Sequence, residues 1–95
     1  MGGKKRSKYD LVHDILETIS PGARITQIMY KSNLSSEVTR KYVDKLQAKE
    51  LIVQKDRTYY LTEKGQMLLE ILKQYKQKKE ELNQLLQDIA ELYGE

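Results

Sequence analysis

The chain has 95 residues, enough for a single core with an appended element but not for two globular domains. With 39% hydrophobic and 33% charged residues, a net charge of +3 and no apolar run of about 18 residues, it reads as a soluble cytoplasmic protein with neither a spanning helix nor a signal peptide. The absence of cysteine and the single histidine, His13, exclude disulfides, thiol nucleophiles and thiolate or multi-histidine metal sites. No phosphate-cradling glycine loop or nucleophile–base pair is present, so the expectation is a non-enzymatic protein without cofactor, metal or small-molecule ligand.

Residues 1–8 form a basic arm in which Lys4, Lys5, Arg6 and Lys8 follow Gly2 and Gly3, suited to tracking phosphates or to solubilising the chain. From Tyr9 to Ile19 the apolar residues Leu11, Val12, Ile15, Leu16 and Ile19 recur at three- and four-residue steps and predict a first helix, with His13 beside the stripe as a structural residue. Ser20-Pro21-Gly22 ends it, Pro21 biasing Ser20 away from helical dihedrals. Thr26 is the expected cap of a short second helix that turns Ile28 and Met29 inward, and Lys31-Ser32-Asn33 interrupts it, Asn33 being able to adopt a left-handed conformation. Ser35 caps a third helix whose expected buried stripe is Val38, Thr39, Tyr42, Val43 and Leu46, leaving Glu37, Arg40, Lys41 and Asp44 outward. After Glu50 the period changes to two. Leu51 and Val53 share one face and Tyr59 and Leu61 another, with Lys55-Asp56-Arg57 as the basic tip of a hairpin. Thr62 and Glu63 start a last helix despite Gly65, which costs about 1 kcal/mol relative to alanine. With no breaker before Gly94, this helix is expected to run for about 30 residues, or about 45 Å.

A helix, a helix-turn-helix and a hairpin in this order make a winged helix. The string ITQIMYKSNLSSEVTRKYVDKLQAKELIVQKDRTYYLTEKGQMLLE resembles the small archaeal winged-helix DNA-binding proteins that dimerise through a long C-terminal helix as an antiparallel coiled coil. The resemblance rests on the turn Asn33-Leu34-Ser35, on Tyr42, Leu46 and Leu51-Ile52, on the wing end at Tyr59, Leu61 and Thr62, and on Lys64-Gly65; it extends over about residues 9 to 93. One departure is Glu50, where the pattern usually has glycine, so a turn that is more strained or of another type is expected there. The implied fold class is mainly α with a small β-hairpin: an arm (1–8), a winged helix-turn-helix head (9–66) and a coiled-coil dimerisation helix (67–95).

Residues 1–61 carry a net charge of +5 and residues 62–95 a net −2, which suits a head that meets a polyanion and a tail that meets protein. A helix about 10 to 12 Å wide fits the major groove of DNA. On the third helix Arg40 and Lys41 are the groove-facing cations, Ser35 and Ser36 suit phosphate oxygens, and Lys45 lies towards one edge. Glu37 and Asp44 share that face and are spaced for ion pairs with Lys41 and Arg40, which dilutes the positive patch. Lys55 and Arg57 on the wing, with Arg24 and Lys31 around the second helix, are expected to add phosphate contacts.

On the last helix Leu68, Leu72, Tyr75, Lys79, Leu82, Leu86, Ile89 and Tyr93 form a heptad seam, widened by Ile71, Leu85 and Leu92. In a parallel pair Lys79 would face its own copy. An antiparallel pair centred between Glu80 and Glu81 sets Leu72 against Ile89, Tyr75 against Leu86 and Leu68 against Tyr93. The expectation is therefore a homodimer that binds double-stranded DNA at the nucleoid, as a transcription regulator or a chromosome-organising protein. The alternative is a winged-helix protein-interaction module in a transcription assembly.

Overall fold

The computed structural model describes residues 6–94, so Lys4 and Lys5 of the arm lie outside the described residues. The elements follow in the order α1 (Lys8–Ile19), α2 (Ile25–Lys31), α3 (Ser36–Ala48), β1 (Ile52–Lys55), β2 (Thr58–Leu61) and α4 (Glu63–Tyr93). Helix α1 starts at Lys8 because Ser7 and Asp10 cap it reciprocally: the Ser7 hydroxyl accepts the Asp10 N–H at 3.1 Å, and the Asp10 carboxylate accepts the Ser7 N–H at 3.0 Å. At its other end Ser20 keeps helical dihedrals (φ −48°, ψ −47°), contrary to the expectation from Pro21, because its N–H completes the helix to the Leu16 carbonyl at 2.9 Å. Gly22, at φ +93°, then reverses the chain.

Helix α2 begins two residues earlier than Thr26 would have it. Its N-cap is Arg24, whose N–H donates to the Gln27 side chain at 2.9 Å, and Thr26 falls inside the first turn. Ile28 is buried and Met29 half-buried. Asn33 takes the left-handed conformation at φ +56°, and Ser35 caps α3 by accepting the Val38 N–H at 3.1 Å. Thr39, Val43 and Leu46 are buried and Tyr42 half-buried, but Val38, expected inside, is 37% exposed. It lies about 140° around the helix from Val43, beyond the buried arc.

The hairpin pairs Ile52 with Leu61, Val53 with Tyr60, Gln54 with Tyr59 and Lys55 with Thr58, so its turn is Asp56-Arg57 alone, with Asp56 at φ +56°, and Lys55 belongs to the strand. The inward face is Ile52 with Tyr59, not the expected Leu51 with Val53. Leu51 is buried before the strand begins: its N–H bonds the Leu46 carbonyl at 3.0 Å and its carbonyl accepts the Thr62 N–H at 3.1 Å, so the two-residue alternation starts only at Ile52. Glu50 sits in the left-handed region at φ +62°, as the missing glycine foreshadows. A further ladder rung joins Ala23 to Tyr59 and fastens the loop before α2 to β2.

Thr62 caps α4, accepting the Gly65 N–H at 3.0 Å. Gly65 is required by close approach, since a Cβ there would sit 2.0 Å from the Leu51 carbonyl oxygen. The head's core gathers Ile15, Leu16 and Ile19 of α1, Ile28, Val43, Leu46, Ile52 and Tyr59, together with Leu69 and Leu72 of α4. Helix α4 then continues past the head, giving a molecule of 57 × 28 × 20 Å.

Polar contacts clamp α1 to α4. Lys79 donates to Asp10 at 2.7 Å, Asp14 pairs with Arg6 at 3.0 Å and with Lys76 at 3.9 Å, and Tyr9 meets Tyr75 edge-on at 6.1 Å. Lys79, expected in the dimer seam, is thus taken by the head of its own chain. The Lys79 ammonium and the Ser7 amide hold the Asp10 carboxyl down at about 2. Burial pushes the Asp14 carboxyl up, but bonds from His13 and Arg6 outweigh it and leave it below its usual value. His13 is buried against Asp14 with its Nδ1 3.1 Å from the carboxylate, a structural placement.

Candidate nucleic-acid interface

The Ala23–Tyr59 rung brings Arg24, at the head of α2, beside the hairpin, and the turn at Asn33 lays α3 across the same side. Arg24, Arg40 and Arg57 therefore converge on one cleft of about 270 Å³, lined also by Thr26, Gln54 and Tyr59. The Arg40 guanidinium donates to the Tyr59 hydroxyl at 3.4 Å and to Asp44 at 3.5 Å. The Tyr59 contact leads in raising its already high pKa. Both contacts are long and Arg40 is exposed, so they hold the guanidinium weakly and leave it able to turn towards an anion. On the other side of Arg40 a second depression of about 220 Å³ is lined by Ile25, Thr26, Met29, Ser36 and Thr39.

Lys41 is exposed one step around α3 from Arg40. The ion pair that Glu37 would make with it is absent among the described residues, whereas Arg40–Asp44 forms. Ser36 is exposed at the first turn of α3, while the Ser35 hydroxyl is engaged as its cap. Lys31 is exposed at the end of α2, and Lys55 and Arg57 are exposed at the hairpin tip. Lys45 is not part of the arginine cleft: its ammonium lies 5.7 Å from the centre of the Tyr42 ring and lines a separate groove together with Lys8 and Lys49.

Sequence reasoning missed Thr26 and Gln54 in the cleft, and also Tyr30, which stands 86% exposed on α2. Gln54 carried a usable signal, since a polar residue between Ile52 and Lys55 in a hairpin must face one side or the other. Thr26 carried none, because only the Ala23–Tyr59 rung brings it there. The assembly offers guanidinium forks and a helix face to an anion, and no group of three or more His, Cys, Asp or Glu side chains fit to hold a metal occurs among the described residues. Nor is any helix long and apolar enough to cross a membrane among the described residues.

A model of the winged helix-turn-helix family matches residues 5–80. Two uncharacterized proteins of Methanocaldococcus jannaschii are each 37% identical to this chain, over 67 and 65 residues, or 70% and 67% of its length. The matched stretch spans 32% of the first relative and 67% of the second. Among solved structures the chain is similar to Sso10a-2, a DNA-binding protein from Sulfolobus solfataricus, with a TM-score of 0.82 and 27% identity, covering 92% of this chain and 96% of that one. It is similar in fold to a MarR family transcriptional regulator, SPO1453 from Silicibacter pomeroyi, with a TM-score of 0.66 and 23% identity over 85% of this chain and 61% of that one.

Proposed function

The chain belongs to the winged helix-turn-helix family, and on that premise we propose that it binds double-stranded DNA as an antiparallel homodimer, acting at the nucleoid as a regulator or an organiser of the chromosome. The observation that carries this reading is the convergence of Arg24, Arg40 and Arg57 on one cleft beside the exposed face of α3. In it α3 enters the major groove with Arg40 and Lys41 towards base edges, while Lys31, Ser35, Ser36, Lys55 and Arg57 meet phosphates. The likeness to Sso10a-2, a DNA-binding protein, over nearly the full length of both chains supports it.

The homodimer is supported by α4. Its residues Leu82, Leu85, Leu86 and Ile89 are 54–60% exposed, a bare apolar stripe that a second copy would cover. The antiparallel sense is supported by charge. Lys73, Lys76, Lys78 and Lys79 fall in a stretch without acids, and from Glu80 onward the chain has five acids and no base. Reversing one copy lays lysines on acids, Lys73 against Asp88; a parallel copy lays like on like. Heads at opposite ends of an overlap from residue 68 to 93 stand about 39 Å apart along the rod, beyond the roughly 34 Å between successive major-groove faces. Such a dimer reaches well-spaced half-sites or bridges two duplexes.

Gel-shift titration of duplex DNA at two salt concentrations tests the reading. Binding that weakens steeply with salt is expected, as is a loss of about 1 to 3 kcal/mol per base contact in Arg40→Ala/Lys41→Ala. No retention of duplex at low salt would overturn it in favour of a protein-interaction module.

A further inference from the structure

Away from the arginine cleft and the depression beside it, α3 closes a third hollow. An apolar groove of about 290 Å³ lies between α1, α3 and α4, floored by Val12, Leu46, Leu68 and Leu72 and walled by Tyr9 and Tyr42. Its rim is cationic: Lys8, Lys45 and Lys49 stand exposed around it, and no carboxylate lines it among the described residues. An apolar floor ringed by lysines fits an apolar element that carries acids on its flanks.

We propose that this groove is the socket for the last turn of α4 from a second copy of the chain. The proposal rests on the antiparallel dimer proposed above and names what that dimer places in the head. The last turn has the matching chemistry: Leu92 and Tyr93 are 91% and 77% exposed, Ile89 is exposed beside them, and Asp88 and Glu91 flank them. The same turn cannot fill its own groove, because 21 residues of unbroken helix from Leu72 to Tyr93 hold it about 30 Å away. Continuity points the same way. Leu68 and Leu72 belong both to the groove floor and to the heptad seam, and an antiparallel overlay centred between Glu80 and Glu81 brings Tyr93 over Leu68 and Ile89 over Leu72.

The socket has a functional consequence. Tyr42, Lys45, Leu46 and Lys49 are residues of α3 or its C-cap, the helix that carries Arg40 and Lys41. The partner's tail therefore braces α3 from behind, and dimerisation is coupled to the posture of the DNA-facing side chains.

The chain has no cysteine, so engineered thiols are the only ones present. Chains carrying Lys49→Cys and Glu91→Cys are mixed and treated with a short bis-maleimide, with Glu81→Cys as the reporter of the dimer and Glu91→Cys alone as the control for its sense, since a parallel in-register pair would cross-link at both. A covalent dimer is expected from the mixture and not from either single variant, because equivalent sites in the two copies lie far apart. Efficient cross-linking of Glu81→Cys with none in the mixture would overturn the socket and leave the dimer standing. Failure of both, with a monomer in sedimentation, would remove the dimer and the socket together. Cross-linking of Glu91→Cys to a wing Lys55→Cys as readily as to Lys49→Cys would also overturn it. The coupling is read from Leu92→Ala/Tyr93→Ala at a concentration where sedimentation shows it dimeric. Its duplex affinity should fall about tenfold with Arg40 and Lys41 intact, and unchanged affinity in that dimer would overturn the coupling.

Discussion

The two halves of α4 share one helix and one heptad pattern, yet they meet opposite surroundings. In the near half Leu69 and Leu72 are 1% and 5% exposed inside the head's core, Tyr75 meets Tyr9 edge-on and Lys79 is held by Asp10. In the far half Leu82, Leu85, Leu86, Ile89 and Leu92 stand bare. A periodic apolar stripe thus states that a helix face needs covering without stating what covers it. Here the head takes one end, and the free stripe shifts towards the flank marked by Ile71, Leu85 and Leu92.

The sharpest way to break this contrast is a pair of matched truncations. Leu72→Ala should cost about 2 to 5 kcal/mol in urea unfolding at any protein concentration, because it opens a cavity in the head. Leu86→Ala should leave the unfolding of dilute protein nearly unchanged and lower only the concentration-dependent part of its stability. Equal losses from both would mean that the head and the far half unfold as one core.

Leu85→Asp addresses the far half alone. It should abolish self-association in sedimentation equilibrium while the circular dichroism of the head persists, since the aspartate would be desolvated only in a dimer. A Leu85→Asp chain that still dimerises would move the seam elsewhere on α4.

The near half can be loosened through its clamp. Asp10→Asn removes a charge-assisted bond to Lys79 and is expected to cost about 1 to 2 kcal/mol, discounted because the Lys79 side chain is part-exposed. Because the Lys79 ammonium holds the folded carboxyl down at about 2 against an ordinary 3.8, its contribution is fully present above about pH 4 and lost as pH falls through about 2. The parent should lose stability across that window, and Asp10→Asn should show a shallower loss there.

The smallest effect is expected where the near half begins. The Glu50 carbonyl accepts the Thr62 hydroxyl at 2.7 Å while Glu50 itself sits at φ +62°. Glu50→Gly should raise the unfolding free energy slightly, by no more than about 1 kcal/mol, read as a small rise in the melting midpoint, since relief of left-handed strain is offset by the freedom gained in the unfolded chain.

What could be read in the sequence was what local chemistry signals. The Asn33 turn, the Ser35 and Thr62 caps, the stop at Gly94 and the order of helices and hairpin all depend on a few adjacent residues. Features set by distant partners were not legible. Lys79 looked like a seam residue because its partner Asp10 lies 69 positions away, and the arginine cleft depends on a rung between Ala23 and Tyr59 that no spacing announces. Val38 and Val53 were misplaced for a smaller reason: Val38 lies about 140° around α3 from Val43, just outside the buried arc, and the alternation of the hairpin starts at Ile52, one residue later than Leu51 suggested.

The clamp from α1 to α4 also makes the molecule a caliper. With Asp10 and Asp14 of α1 gripping Lys79 and Lys76 of α4, and Leu69 and Leu72 buried in the head, the azimuth of Arg40 is tied to the phase of α4. In a dimer, the angle at which the two jaws face is then set by the number of residues between them. Seven residues added beyond Lys79 would lengthen each helix by about 10.5 Å and turn its end by only about 20°, whereas five would turn it by about 140°. Insertions of whole heptads should change the gap between the jaws and keep them facing their DNA, and insertions out of phase should leave one jaw facing away.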